Sequence, residues 1–164
     1  MPIIYLDFGA DISPCGFYRY SLWRAWDYSL PICAVAGVNP SIADHRIDDP
    51  TIRRCVYFAR REGCGTLIMV NEYGFRETDP EKMKRAADPI GPGNDAALLA
   101  AMQRAQVRIV AWGVNGTFRD RDKAVCALLG DLPLYYLGTT KDGHPRHPLY
   151  VRSDAPLIRY IPRS

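Results

Sequence analysis

Ile32-Cys33-Ala34-Val35-Ala36-Gly37-Val38 is an unbroken apolar run, and it stops on the polar turn Asn39-Pro40-Ser41. Continuous apolar strands of this kind are buried on both faces, as parallel sheets require. Open α/β sheets bind ligands outside the carboxyl ends of their strands, so Gly37, Asn39, Pro40 and Ser41 stand where a ligand would be met. Gly37 lets a ligand or another backbone come close, while Pro40 fixes the turn and removes a backbone donor. The same figure recurs downstream. Thr66 to Val70 reads as a buried strand ending on Asn71. Val107 to Trp112 ends on Trp112-Gly113-Val114-Asn115. Leu134 to Leu137 is followed by Gly143-His144-Pro145-Arg146-His147-Pro148-Leu149.

Helical patterns lie between these strands. Asp49-Pro50 supplies an N-cap and a proline at the first helical position. Ile52, Cys55, Val56 and Ala59 follow at helical spacing, and Gly63 closes the segment. Asp79-Pro80 repeats the start signal. Asn94 to Ala105 and Phe118 to Leu129 are further helices, the latter stopped by Gly130. Upstream, Cys15 to Asp27 is rich in aromatic residues and reads as a strand or hairpin at a sheet edge. Strands alternating with helices predict one domain over residues 1–164: a three-layer α/β/α arrangement with a central, mainly parallel sheet of four or five strands.

Composition excludes several classes. The 164 residues are 48% hydrophobic and 24% charged, ordinary for a globular chain. No apolar run approaches the roughly 20 residues of a membrane helix. Met1 to Asp7 has no basic segment ahead of its apolar residues, which argues against a secretory signal and for a cytoplasmic protein. The five cysteines are scattered with no C-x-x-C pair, so neither a zinc nor an iron–sulfur site is expected, and Cys33, Cys55 and Cys126 read as buried thiols. No cofactor is expected. The net charge of +3 is a mild bias toward polyanions. Lys141 to Ser164 holds five basic residues against two acidic ones. That excess marks the face bearing Arg53, Arg54, Arg146 and Arg152 as the expected nucleic-acid contact.

Parallel strands bring their carboxyl ends together, so Asn39, Asn71, Trp112 and His144 are expected to line one cleft. A carboxamide offers one donor group and one acceptor, which suits a nucleobase edge.

The motifs also carry two resemblances. Gly37-Val38-Asn39-Pro40-Ser41 resembles the first motif of mismatch-specific uracil/thymine DNA glycosylases. His144-Pro145-Arg146-His147-Pro148-Leu149 resembles the final motif of uracil-DNA glycosylases, with Arg146-His147 where those enzymes usually carry one small residue. Asn71 resembles their uracil-holding asparagine, and Trp112-Gly113 a later strand end. A second resemblance is closer and covers about Tyr18 to Tyr150. Asn39-Pro40-Ser41 with Ala43-Asp44, Asp48-Asp49-Pro50-Thr51, Ala87-Asp88-Pro89-Ile90-Gly91 and Gly143-His144-Pro145-Arg146-His147-Pro148-Leu149-Tyr150 is similar to the family called domain of unknown function 1643.

The glycosylase resemblance implies a uracil-DNA glycosylase-like fold and an N-glycosidase acting on uracil or a modified pyrimidine. It implies catalytic roles for Asn39, holding the water, and His144, donating to the leaving base. Asn71 would read the base, with Gly37, Pro40, Ser41 and Trp112 around it, and Arg146 and His147 would contact phosphate. The expected partner is a nucleic acid or nucleotide. Two alternatives stand beside this reading. One is a non-catalytic nucleotide- or nucleic-acid-binding module. The other is a metal-dependent phosphoesterase using Asp44, His45, Asp48 and Asp49.

Overall fold

In the computed structural model, which describes residues 3–164, the run Ile32–Gly37 forms β3 at the centre of a seven-stranded sheet. Met1 and Pro2, which begin the stretch read against a secretory signal, lie outside the described residues. The other strands are β1 (Asp7–Ile12), β2 (Arg19–Ala25), β4 (Thr66–Asn71), β5 (Val107–Val110), β6 (Tyr135–Tyr136) and β7 (Ile158–Arg159), in the order β1-β2-β4-β3-β5-β6-β7. The helices are α1 (Pro50–Arg61), α2 (Pro80–Lys84), α3 (Asn94–Arg104) and α4 (Arg121–Leu129).

β3 pairs in parallel with β4 and β5, placing Gly37 opposite Asn71 and Ala36 opposite Val110. This register sets three strand ends at one level, so the loops that follow them meet. Alternation along β3 supplies two cores. Cys33 and Val35 pack with Ile52, Cys55 and Phe58 of α1 on one face, while Ala34 and Ala36 pack with Leu98 and Met102 of α3 and Val125 and Leu129 of α4 on the other. Helices thus cover both faces of the sheet, as the alternation of elements predicts.

The sheet is larger and more mixed than predicted. It has seven strands, and the pairs β1/β2, β2/β4 and β6/β7 are antiparallel. The aromatic segment after Cys15 is not the edge, because β1 pairs outside it, Asp7 opposite Ala25 and Gly9 opposite Trp23. β6 and β7 have two residues each, too short to leave a periodic signature. The last helix begins at Arg121 rather than Phe118. Arg119 and Asp120 take φ of 53° and 54°, a left-handed pair that no helix continues through. α1 starts as expected: Asp49 Oδ1 accepts from the Ile52 amide at 2.8 Å, and Gly63 beyond its end has φ of 77°. Cys33 and Cys55 are buried, whereas Cys126 is only half-buried. No helix among the described residues is long and apolar enough to cross a membrane.

The loop from Asn39 to Asp49 is held by Arg24, which is 1% exposed. Its Nε donates to Asp48 Oδ1 at 2.7 Å, and its other nitrogens reach the carbonyls of Gly9, Trp23, Asp44 and Ile47. Tyr5 donates its hydroxyl to Asp48 Oδ2 at 2.7 Å. Asp44 accepts from the amides of Arg46 and Ile47. The acids read as alternative metal ligands are therefore engaged in shaping this loop. No group of three or more metal-ligating side chains gathers among the described residues.

Candidate functional site

A cleft of about 770 Å³ opens at the carboxyl ends of β3, β4 and β5, within the size range of small-ligand sites. Its floor is Gly37, Met69, Asn71 and Arg19. Gly37 keeps the floor open: a Cβ would fall 2.9 Å from Asn71 Oδ1 and 2.9 Å from Met69 Cε and displace both side chains. Asn71 is 1% exposed, and its Nδ2 has no hydrogen-bond partner among the described residues. Its carbonyl accepts from Asn94 Nδ2 at 2.9 Å, anchoring the strand end to α3. An unpaired buried amide is costly, and functional sites are where such groups collect.

Asn39 overhangs this floor. Its Nδ2 donates to the Glu77 carbonyl at 2.5 Å and the Pro40 carbonyl at 3.3 Å, leaving Oδ1 as an acceptor. Ser41 and Thr78 share a hydrogen bond of 3.1 Å, and both line the cleft with Pro40. Trp112 also borders the cleft, but its ring belongs to the core on the α3/α4 face and meets Tyr160 edge-on at 5.7 Å. It offers no broad stacking surface to a ligand.

Both histidines of the last loop are expected at the site, and the structure brings one of them to the cleft. His144 is not among the lining residues. It sits in a tight turn with Gly143 at φ 87°, its amide donating to Thr140 Oγ1 at 3.2 Å and its carbonyl accepting from the Thr140 amide at 2.8 Å. His147 does line the cleft. Its Nδ1 accepts from the Leu149 amide at 3.2 Å and caps the short turn Pro148–Tyr150. A ring nitrogen that accepts carries no proton, so the proton of the neutral ring is on Nε2. Burial holds the His147 pKa below its ordinary value, with Asp49 opposing. The ring is thus a neutral N–H donor at physiological pH.

Arg146 is exposed at the mouth, tethered to the carbonyls of Thr139 and Tyr150, and forms no ion pair among the described residues. Lys141 and Asn115 also line the cleft. Arg54, assigned by sequence to the nucleic-acid face, instead ties α1 to the carbonyls of Pro148 and Val151, and Arg152 pairs with Asp154 at the surface. Arg19 escapes sequence reasoning altogether. Its one signal is a charge at the start of an aromatic-rich strand, and Arg24 of the same strand gives that signal too.

Across the sheet from Asn71 lies Glu72, fully buried, with neither carboxylate oxygen hydrogen-bonded among the described residues. Burial and then Asp122 push its pKa well above the carboxylate range, against Arg121. Gly116 makes room for it, since a Cβ there would fall 2.3 Å from Oε1. A raised folded-state pKa means that stability is fully present below the unfolded value near pH 4.5 and is lost as pH rises. Glu72→Gln should therefore raise the melting temperature at pH 8 by about 3 °C or more and change it little at pH 4. Thermal unfolding at the two pH values checks this. An equal shift at both would assign the effect to packing.

These elements define an α/β domain with a donor-rich cleft at the carboxyl ends of its parallel strands. Residues 19–149 match the family model described as protein of unknown function (DUF1643), and the chain belongs to that family. No curated protein and no solved structure matches the chain.

Proposed function

We propose that the cleft receives a nucleobase and that the protein is an N-glycosidase acting on uracil or a modified pyrimidine. The observation that carries this reading is the buried Asn71 carboxamide, whose Oδ1 faces the bare backbone of Gly37 and whose Nδ2 lacks a partner among the described residues. Nδ2 matches the O4 acceptor of uracil, and Oδ1 matches its N3–H donor. In the hydrolysis, the bond between sugar C1′ and base N1 breaks and its electron pair leaves with the base. The water oxygen bonds to C1′, and the water's proton ends on the base nitrogen. Asn39 Oδ1 is the acceptor that orients that water. His147 Nε2–H donates to the base oxygen where charge develops, taking the role that the resemblance assigns to His144. Positioned donors of this kind are usually the largest catalytic term. A uracil in duplex DNA would first have to be flipped, at a cost of a few kcal/mol. Arg146 and Lys141 at the mouth suit the flanking phosphates.

One observation favours a second reading, a nucleotide-binding module without turnover. The cleft carboxylates are engaged: Asp49 Oδ1 caps α1, and Glu77 Oε1 accepts from the Asp79 amide at 3.2 Å. Single-turnover base release from uracil-containing single-stranded, duplex and mononucleotide substrates separates the two. Under the first reading His147→Gln loses about 10²-fold in rate, while His144→Ala stays near the parent. Substrates that are bound yet left intact would establish the second.

A further inference from the structure

Three arginines among the described residues are buried, and two of them are paired with a carboxylate. Arg24 holds Asp48 and four carbonyls. Arg121, 5% exposed, holds Asp95 and the Glu72 carbonyl. Arg19 is different. It is 2% exposed, yet it makes one hydrogen bond, from Nη1 to the Ala43 carbonyl at 2.9 Å. Its Nε has no partner, and it takes part in no ion pair among the described residues. Asp49 is the acidic group acting on it, and Arg76 and Arg24 repel it. Burial lowers its pKa to about 10, so it is still a cation at neutral pH. A buried charge without a counter-ion is among the costliest features a fold can carry.

Arg19 lies on the cleft floor, on the strand next to Asn71. Its amide donates to the Gly74 carbonyl, so it sits beyond the end of β4, level with the loops that form the cleft. The floor therefore offers two buried donors of unlike kind: a neutral carboxamide and, one strand away, a guanidinium. Rings and carbonyls suit the first. An anionic oxygen suits the second, because a guanidinium presents forked N–H groups to planar or tetrahedral oxyanions.

We propose that Arg19 is a phosphate-binding residue and that the ligand of the cleft is a pyrimidine nucleoside monophosphate, its base edge on Asn71 and its terminal phosphate on Arg19. A guanidinium this buried is met by the end of a molecule, not by a phosphodiester with chain on both sides. This deepens the base-recognition reading, but the two can fail separately.

The test is calorimetric titration of the full chain with deoxyuridine, deoxyuridine 5′-monophosphate, ribose 5-phosphate and an oligonucleotide with an internal uracil. The proposal expects the monophosphate to bind about tenfold or more tightly than deoxyuridine. Arg19→Gln should bring the two within about twofold and leave deoxyuridine affinity near the parent's. Should Arg19→Gln fail to fold, the ¹⁵N-labelled parent decides: the Arg19 Nε–H resonance shifts with the monophosphate and not with deoxyuridine. Equal affinity for the two, or a preference that survives in Arg19→Gln, overturns the phosphate assignment and leaves base recognition standing. Ribose 5-phosphate binding as tightly as the nucleotide, with dependence on Arg19, keeps the phosphate site and removes the base. The oligonucleotide binding more tightly than the monophosphate through Arg19 overturns the terminal placement. No binding of any of the four overturns both.

Discussion

Asn71→Ala should lose about 10²-fold or more in base release, or in affinity for a uracil nucleotide, with almost no loss of stability. The two halves of this result have the same cause. Asn71 Nδ2 bonds to nothing among the described residues, so its removal orphans no partner there. The hydrogen bond that ties the strand end to α3 uses the backbone carbonyl of residue 71, which the substitution keeps. A site built to hydrogen-bond one edge of a base discriminates strongly, because its polar atoms are left unpaired by the wrong ligand. Asn71→Asp keeps the shape and loses the donor, so its carboxylate would face the O4 of uracil and binding should fall at least as far. Titration with uracil nucleotides beside thermal unfolding checks both halves. A variant that binds normally, or that unfolds much more readily, would make Asn71 a structural residue.

The largest effect on stability should come from Asp48→Ala. Asp48 accepts from Arg24, which is 1% exposed, and from Tyr5. Removing it leaves a guanidinium buried without its counter-ion, a change that costs about 3–5 kcal/mol. The melting temperature should drop by about 10 °C. Because Arg24 also holds the carbonyls of Asp44 and Ile47, the loop carrying Asn39 should loosen before the sheet does. Denaturant unfolding measures the first effect, and amide exchange over residues 39–49 measures the second. A loss below about 1 kcal/mol would mean that water reaches Arg24 once Asp48 is gone.

Much of this architecture is legible in the chain. β3, β4 and β5 are short apolar runs that end on polar turns, and two helices announce themselves through Asp-Pro at their starts. The convergence of Gly37, Asn39 and Asn71 follows from parallel pairing alone. What is not legible has physical causes. β1 lacks a recognisable pattern because its edge position leaves Asp7, Phe8 and Asp11 in solvent. The start of α4 depends on left-handed conformations at Arg119 and Asp120, which neither residue type advertises. His144 and His147 are three positions apart in one loop, and which of them meets the cleft is set by the Thr140–His144 turn. Arg19 reads as one of two arginines in an aromatic-rich strand. Its importance lies in what it fails to touch, and only three dimensions reveal that.

Base recognition in this cleft requires a pyrimidine edge to meet Asn71. A crystal structure of the protein soaked with uracil tests this most directly. The account predicts the ring above Gly37, O4 within hydrogen-bond distance of Asn71 Nδ2, N3–H on Asn71 Oδ1, and O2 toward His147 Nε2. Uracil bound elsewhere, or a cleft left empty at saturating concentration while Asn71 keeps its present place, would contradict it.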